Sequence, residues 1–258
     1  MSDYSTNELF AVVLARDLRP EDKVIQVGAN MPVARVAAIL ANMTRLPDAR
    51  IFLGLAGDNL SGGRKPAPVY QFLFDQRALV GAESLMHQQF VFDDISRPDV
   101  FFFGGLQVDR RGNINLLGLR RPDGGWKLRG PGAIALASMT AHCRGSYIVM
   151  PRHDLRSFVE RVDLITALGD KQRREELRLP GGGPRLVVSP LGVFDFDDAG
   201  DMRIRSVNPG ITVEQVHEAT GFPLVVPAEV PVTEPPTTEE LELLRERIDI
   251  EGVLRDGS

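Results

Sequence analysis

Short runs of β-branched and aromatic residues alternate with helical repeats along this chain, and that alternation restricts its fold more than any other feature. KVIQVG (Lys23–Gly28) reads as a strand. Pro32 then opens a helix, at a position where the N–H that proline lacks would have had no partner. Val33, Val36, Ala37, Leu40 and Met43 make one apolar stripe along that helix. RIFLGL (Arg50–Leu55) is a second strand without polar alternation, the pattern of a strand covered on both faces. Ahead of both, Thr6–Leu18 places Leu9, Phe10, Val13 and Leu14 on one helix face. Val100–Phe103, Ser146–Met150, Arg185–Ser189, Val193–Phe196 and Met202–Val207 are further strand candidates. The alternation predicts an α/β fold: an open, mostly parallel sheet with helices on both faces.

Local signals punctuate the C-terminal half. Thr212-Val213-Glu214-Gln215 and Thr237-Thr238-Glu239-Glu240 both match the capping box that starts a helix. Between them, residues 226–236 hold Pro227, Pro231, Pro235 and Pro236 and predict an extended strap leading into a C-terminal helix over 237–248. Asp170–Pro184 is charged and then glycine-rich, which predicts an exposed loop with at most one helical turn. A length of 258 residues suits a single domain over 1–258.

Composition narrows the function classes. With 43% hydrophobic and 25% charged residues the chain is not disordered, and a net charge of −5 argues against nucleic-acid binding. Its apolar runs fall short of the roughly 20 residues that span a bilayer, so no membrane partner is expected. One cysteine, Cys143, and an N-terminus without secretory character fit a cytoplasmic protein. His87, His142, His153 and His217 are scattered without ligand spacing, so no metal site is expected. Cys143 reads as a small buried residue rather than half of a Cys–His pair, because its neighbour His142 must point elsewhere.

Ligands of an open parallel sheet gather beyond the carboxyl ends of its strands. Four turn segments reach that edge: Gly28-Ala29-Asn30-Met31-Pro32, Gly54-Leu55-Ala56-Gly57-Asp58-Asn59, Phe103–Asn113, and Arg129–Ala135. Backbone N–H groups at Gly28 and Asn30 could face an anion, and glycines at 54 and 57 allow close approach. In the third segment Gln107 offers an amide, while Asp109 and Asn113 have the composition of residues that bond their own turn. In the fourth, Gly130, Gly132 and Ala133 could present N–H groups to an acyl oxygen.

Taken in order, GGLQVDRRGNINL (Gly104–Leu116), GPGAIALAS (Gly130–Ser138), PLGVFDF (Pro190–Phe196) and NPGITVEQVHEATGF (Asn208–Phe222) resemble the β-type subunit of the class I CoA-transferase family, the group that includes glutaconate CoA-transferase. The likeness runs over nearly the whole chain. Its tail is most similar to two specialised branches, a steroid-ring-opening CoA-thioester hydrolase and a decarboxylase of a branched glutaconyl-CoA. The resemblance implies a CoA-transferase fold and an α-type partner, in a complex of two α-type and two β-type chains. It also implies an acyl-CoA substrate, with coenzyme A present as part of that substrate and no permanently bound cofactor.

In the transferases of this family a β-chain glutamate attacks the acyl carbon, and the matching position here is Leu55 within Gly54-Leu55-Ala56-Gly57. Leucine has no lone pair to attack with. Leu136 likewise stands where the glycine loop is followed by an aspartate in the family. The resemblance therefore implies hydrolytic C–C cleavage, a ring opening, with the catalytic carboxylate on the α-type partner. Gly28, Asn30, Gly54, Leu55, Gly57, Gln107, Gly130, Gly132 and Ala133 would then line the acyl site. Three alternatives stand beside it: decarboxylation of an acyl-CoA, a non-catalytic thioester-binding scaffold, and a true transferase using Asp58 or Glu83.

Overall fold

The computed structural model describes residues 3–28, 30–53, 58–60, 69, 77 and 98–255, which divide into two units: Met1–Phe103 with Glu234–Ser258, and Gly104–Thr233. The first unit begins with α1 (Thr6–Asp17), whose N-terminus is closed by a capping box of Ser5 and Glu8. β1 (Val24–Val27) follows, then α2 (Pro32–Thr44) with its proline in the first turn, β2 (Arg50–Leu53), β3 (Asp58–Leu60) and β4 (Val100–Gly104). β1 pairs in parallel with both β2 and β4, and β3 returns antiparallel along β2.

The single apolar stripe expected on α2 is only half of its contact surface. Ala34, Ala38 and Ala41 are as buried as Val36, Ala37 and Leu40, because α1 packs against that flank. Small side chains there let the two helix axes approach closely. The C-terminal helix Thr238–Leu243, continued by a π-helical turn over Leu244–Ile248, is tied to α1 by two bidentate ion pairs. Arg16 donates to Glu240 at 2.9 and 2.6 Å, and Arg245 donates to the fully buried Glu8 at 2.8 and 3.0 Å. Burial pushes the Glu8 carboxyl up, but bonds from Arg245 and from the Ser5 N–H outweigh it and hold the group below its ordinary range.

The second unit carries two small hairpins, β5 (Gln107–Val108) with β6 (Ile114–Asn115) and β7 (Gly118–Arg120) with β8 (Trp126–Arg129). A helix over Leu136–His142 leads to β9 (Gly145–Val149). β9 pairs in parallel with β10 (Pro184–Ser189), to which β11 (Gly192–Phe196) and β12 (Met202–Val207) add antiparallel strands. The α/β class expected from the sequence holds, with parallel strands inside and antiparallel strands added at the edges. Asp170 caps the helix Lys171–Glu176, so the charged segment supplies more order than a loop. Both threonine capping boxes, at Thr212 and Thr237, form with their reciprocal bonds. The proline-rich strap lies along β12, where Val207 N–H donates to Pro231 O at 3.0 Å and Thr233 N–H to Val207 O at 2.7 Å.

Candidate functional site

In the first unit the carboxyl ends of the three parallel strands are level, with Val27 opposite both Leu53 and Phe102. Gly28 leaves β1 at that edge. Its N–H donates to Phe102 O at 2.9 Å, and a Cβ on it would stand 2.8 Å from the same oxygen. Glycine is required there for strand packing, and its N–H is engaged with the sheet rather than open to an anion. Asn30 is exposed in the left-handed region (φ 53°) and turns the chain into α2. Leu53 and Asp58 are paired on either side of the segment that carries Gly54, Leu55 and Gly57. Those three residues and Glu83 lie outside the described residues, as does the side chain of Asp58.

The second unit contains Gln107, Gly130, Gly132 and Ala133, joined by one hydrogen-bonded framework. Asp109 Oδ1 accepts from the N–H groups of Arg111 and Asn113 at 3.1 and 3.0 Å, and its Oδ2 accepts from the Asn113 amide at 3.1 Å. These are turn-forming bonds, as the composition suggested. Burial raises the Asp109 carboxyl despite them. The hairpin places Gln107 opposite Asn115, and both are buried. Gln107 Oε1 accepts from Asn115 Nδ2 at 2.8 Å and Asp163 N–H at 3.0 Å, and its Nε2 donates to Asp163 Oδ1 at 3.2 Å. The amide expected to hold an acyl group is instead committed to the interior.

Asn115 carries that order onward. Its amide also donates to Gly118 O at 2.8 Å, and its Oδ1 accepts from the N–H groups of Leu117 and Gly118. Leu117 O in turn accepts from Gly130 N–H at 2.9 Å. A Cβ at Gly130 would stand 2.5 Å from Leu116 O, so only glycine fits the contact. Gln107 and Asn115 thus position the turn on which the glycine loop rests.

Beyond Gly130 the loop changes character. Gly132 (φ 101°) and Ala135 (φ 56°) are both left-handed, and the helix that begins at Leu136 has no side-chain cap. Among the described residues, the N–H groups of Gly132, Ala133, Ile134 and Ala135 donate to no acceptor. Successive free N–H groups around a left-handed residue make a concavity suited to a negative oxygen. Ile134 is 65% exposed and Leu128 47%, so apolar surface borders these donors. A left-handed alanine costs of order 1–2 kcal/mol, which marks the segment as strained.

Two titratable side chains outside the loop complete the picture. His153 stacks on Phe158 with ring centroids 3.5 Å apart and contacts Ser189 Oγ at 2.7 Å and Thr220 Oγ1 at 2.9 Å. Thr220 donates to Val216 O, which assigns the proton to Nε2 of the ring and leaves Nδ1 to accept from Ser189. Burial pushes this imidazole down to about 3, so it is neutral. The sequence offered no sign of that cluster, since its members are far apart along the chain. Cys143 is fully buried, with its thiol pushed up to about 11 by burial, as expected of an inert core residue. Among the described residues no helix is long and apolar enough to cross a membrane.

No protein-family model matches the chain. Curated proteins do. One of the two kinds of chain that make up the 3-oxoadipate CoA-transferase of Pseudomonas knackmussii is 32% identical over 255 residues, covering 95% of this chain and 94% of that protein. The cholesterol ring-cleaving hydrolase IpdB subunit of Rhodococcus jostii is 32% identical over 233 residues, covering 86% of this chain and 83% of that one. Among solved structures, the decarboxylase AibA/AibB superposes with a TM-score of 0.82 at 25% identity, covering 99% of this chain and all of the matched chain. Near-complete coverage on both sides, at this identity, joins the loop motifs and the sheet into one assignment: the chain belongs to the class I CoA-transferase family, as one of its β-type subunits.

Proposed function

We propose that this chain, acting as one functional body over 1–258, forms the β-type half of a two-subunit enzyme that opens a ring in a cyclic β-keto acyl-CoA by hydrolysis. The observation that carries this reading is the run of free N–H groups from Gly132 to Ala135, in a chain whose nucleophile position holds Leu55. Donor groups for a developing oxyanion are supplied here, while the attacking group is not. A carboxylate on the α-type partner would act as general base and take a proton from water. The resulting hydroxide adds to the ring ketone, and the bond between that carbon and the α-carbon breaks. Its electron pair becomes the enolate of the thioester, held by the loop N–H groups, and the α-carbon then takes back the proton. The product keeps coenzyme A and gains the elements of water.

Support also comes from the likeness to the ring-cleaving hydrolase subunit. The structural likeness to AibA/AibB favours decarboxylation as a second reading, in which the same donors would hold the enolate left by CO2. The relationship to 3-oxoadipate CoA-transferase keeps transfer through Asp58 or Glu83 as a third. Co-expression with the α-type chain, followed by mass analysis of candidate acyl-CoAs, separates them. Hydrolytic opening gives a CoA product heavier by one water, and decarboxylation gives one lighter by CO2. Transfer needs an added carboxylic acid and leaves an adduct on this chain. Turnover by this chain alone would overturn the shared-site reading, and inactivity of the pair toward every thioester would leave it a scaffold.

A further inference from the structure

The hairpin that leads into the glycine loop is strongly cationic in an otherwise acidic chain. Between Gly118 and Arg129 stand Arg120, Arg121, Lys127 and Arg129 against the single carboxylate of Asp123, while the chain as a whole carries −5. Asp123 is already engaged, accepting from Gly125 N–H at 2.8 Å and facing Arg121 at 3.8 Å. Lys127 and Arg129 are exposed and form no ion pair among the described residues. The guanidinium carbons of Arg120 and Arg129 lie 4.8 and 5.0 Å from the centre of the Trp126 ring. Two like charges are therefore held no more than about 10 Å apart, within the range where salt screens them incompletely. The ring's negative face relieves part of that repulsion, and an arriving anion would relieve the rest.

The arrangement is built rather than incidental. A Cβ at Gly118 would stand 2.8 Å from the Trp126 ring, so glycine makes the seat for the indole. Arg120 is fixed at both ends, its N–H donating to Asp163 Oδ2 at 2.8 Å and its guanidinium to Gly124 O at 2.9 Å. Arg129 is followed directly by Gly130, and β8 spans roughly 10 Å from Trp126 to Arg129. A long ligand with a carbonyl at one end and phosphates at the other could lie along this stretch.

We infer that the β7–β8 hairpin binds the phosphorylated end of the CoA thioester, with Lys127 and Arg129 as its principal phosphate contacts and Arg120 and Trp126 as its frame. This rests on the thioester reading above and names the part of the substrate that this chain grips.

The test uses Lys127→Ala/Arg129→Ala in the assembled two-chain enzyme. KM for the acyl-CoA should rise at least tenfold with kcat unchanged. Turnover of the same acyl group on N-acetylcysteamine, which has no phosphate, should not move. Trp126 is the only tryptophan in the chain, so its emission reports on the hairpin directly. Titrating the full chain with adenosine 3′,5′-bisphosphate should change that emission, more weakly as salt rises, and the double variant should lose the response. Unchanged KM and unchanged bisphosphate affinity in the variant would overturn the inference. So would loss of assembly with the partner while bisphosphate affinity is intact, which would make the hairpin a subunit contact. If the bisphosphate response is lost in the variant yet the parent enzyme turns over no thioester, the anion site stands and the thioester reading falls.

Discussion

Two neighbouring stretches of the second unit use their polar groups in opposite ways. In the turn over 107–118 the side chains of Gln107, Asp109, Asn113 and Asn115 are buried and bonded to one another or to the backbone around them. In the loop over 132–135 four consecutive N–H groups are bonded to nothing described, and two residues are left-handed. Buried groups must be paired because an orphan costs the full desolvation of that group, whereas exposed N–H groups can wait for a ligand. The saturated stretch is scaffold, and the bare one is where binding energy is still to be realised.

Asn115→Ala should break this contrast most severely. It removes three bonds to Leu117 and Gly118 and the one to Gln107, and roughly 3 kcal/mol or more of stability should go with them in urea unfolding. An unchanged midpoint would mean the network is not scaffold at all.

Acid should act next, again on a saturated cluster. His153 is held near 3 in the folded protein against about 6.5 when unfolded. Its contribution is therefore fully present above pH 6.5 and declines as pH falls toward 3, by up to about 1.4 kcal/mol per pH unit. His153→Gln should flatten that slope in a pH series of denaturation midpoints, and an equal slope in the variant would assign acid sensitivity elsewhere.

Gly132→Ala tests the bare loop. Nothing stands within 4 Å of the added Cβ, but the φ of 101° disfavours alanine by about 1–2 kcal/mol. Stability should fall by no more than that, while turnover falls at least tenfold as the N–H groups are redirected. Equal, small losses in both would make the loop an ordinary connection. Smallest of all, Ile134→Ser should leave stability within about 0.5 kcal/mol, since the side chain is mostly in solvent. A large loss would show that Ile134 is packed.

Much of the framework was legible without coordinates. Met202–Val207 forms the strand that its residues predict, and the strands at 100, 146, 185 and 193 agree to within one residue at either end. The capping box of Ser5 and Glu8 was equally present in the letters S-T-N-E, though weaker to the eye than the two threonine boxes. The hairpin over 118–129 also had its turn signal in P-D-G-G. The site was less legible. Gly130 and the turn-forming role of Asp109 and Asn113 follow from residue type, but Gln107 presented the same letter whether its amide faced a ligand or the interior.

Periodicity, caps and turn residues act over a few positions, so the sequence by itself determined the strands, the helix starts, the strap and the family resemblance. Only the tertiary structure decided where hydrogen bonds go. Asp163, which claims Gln107, lies 56 residues away, and Ser189 and Thr220 reach His153 from 36 and 67 residues away. Whether a polar group is spent or free depends on which distant segment arrives beside it. For the N–H groups of Gly132 to Ala135, no described segment does.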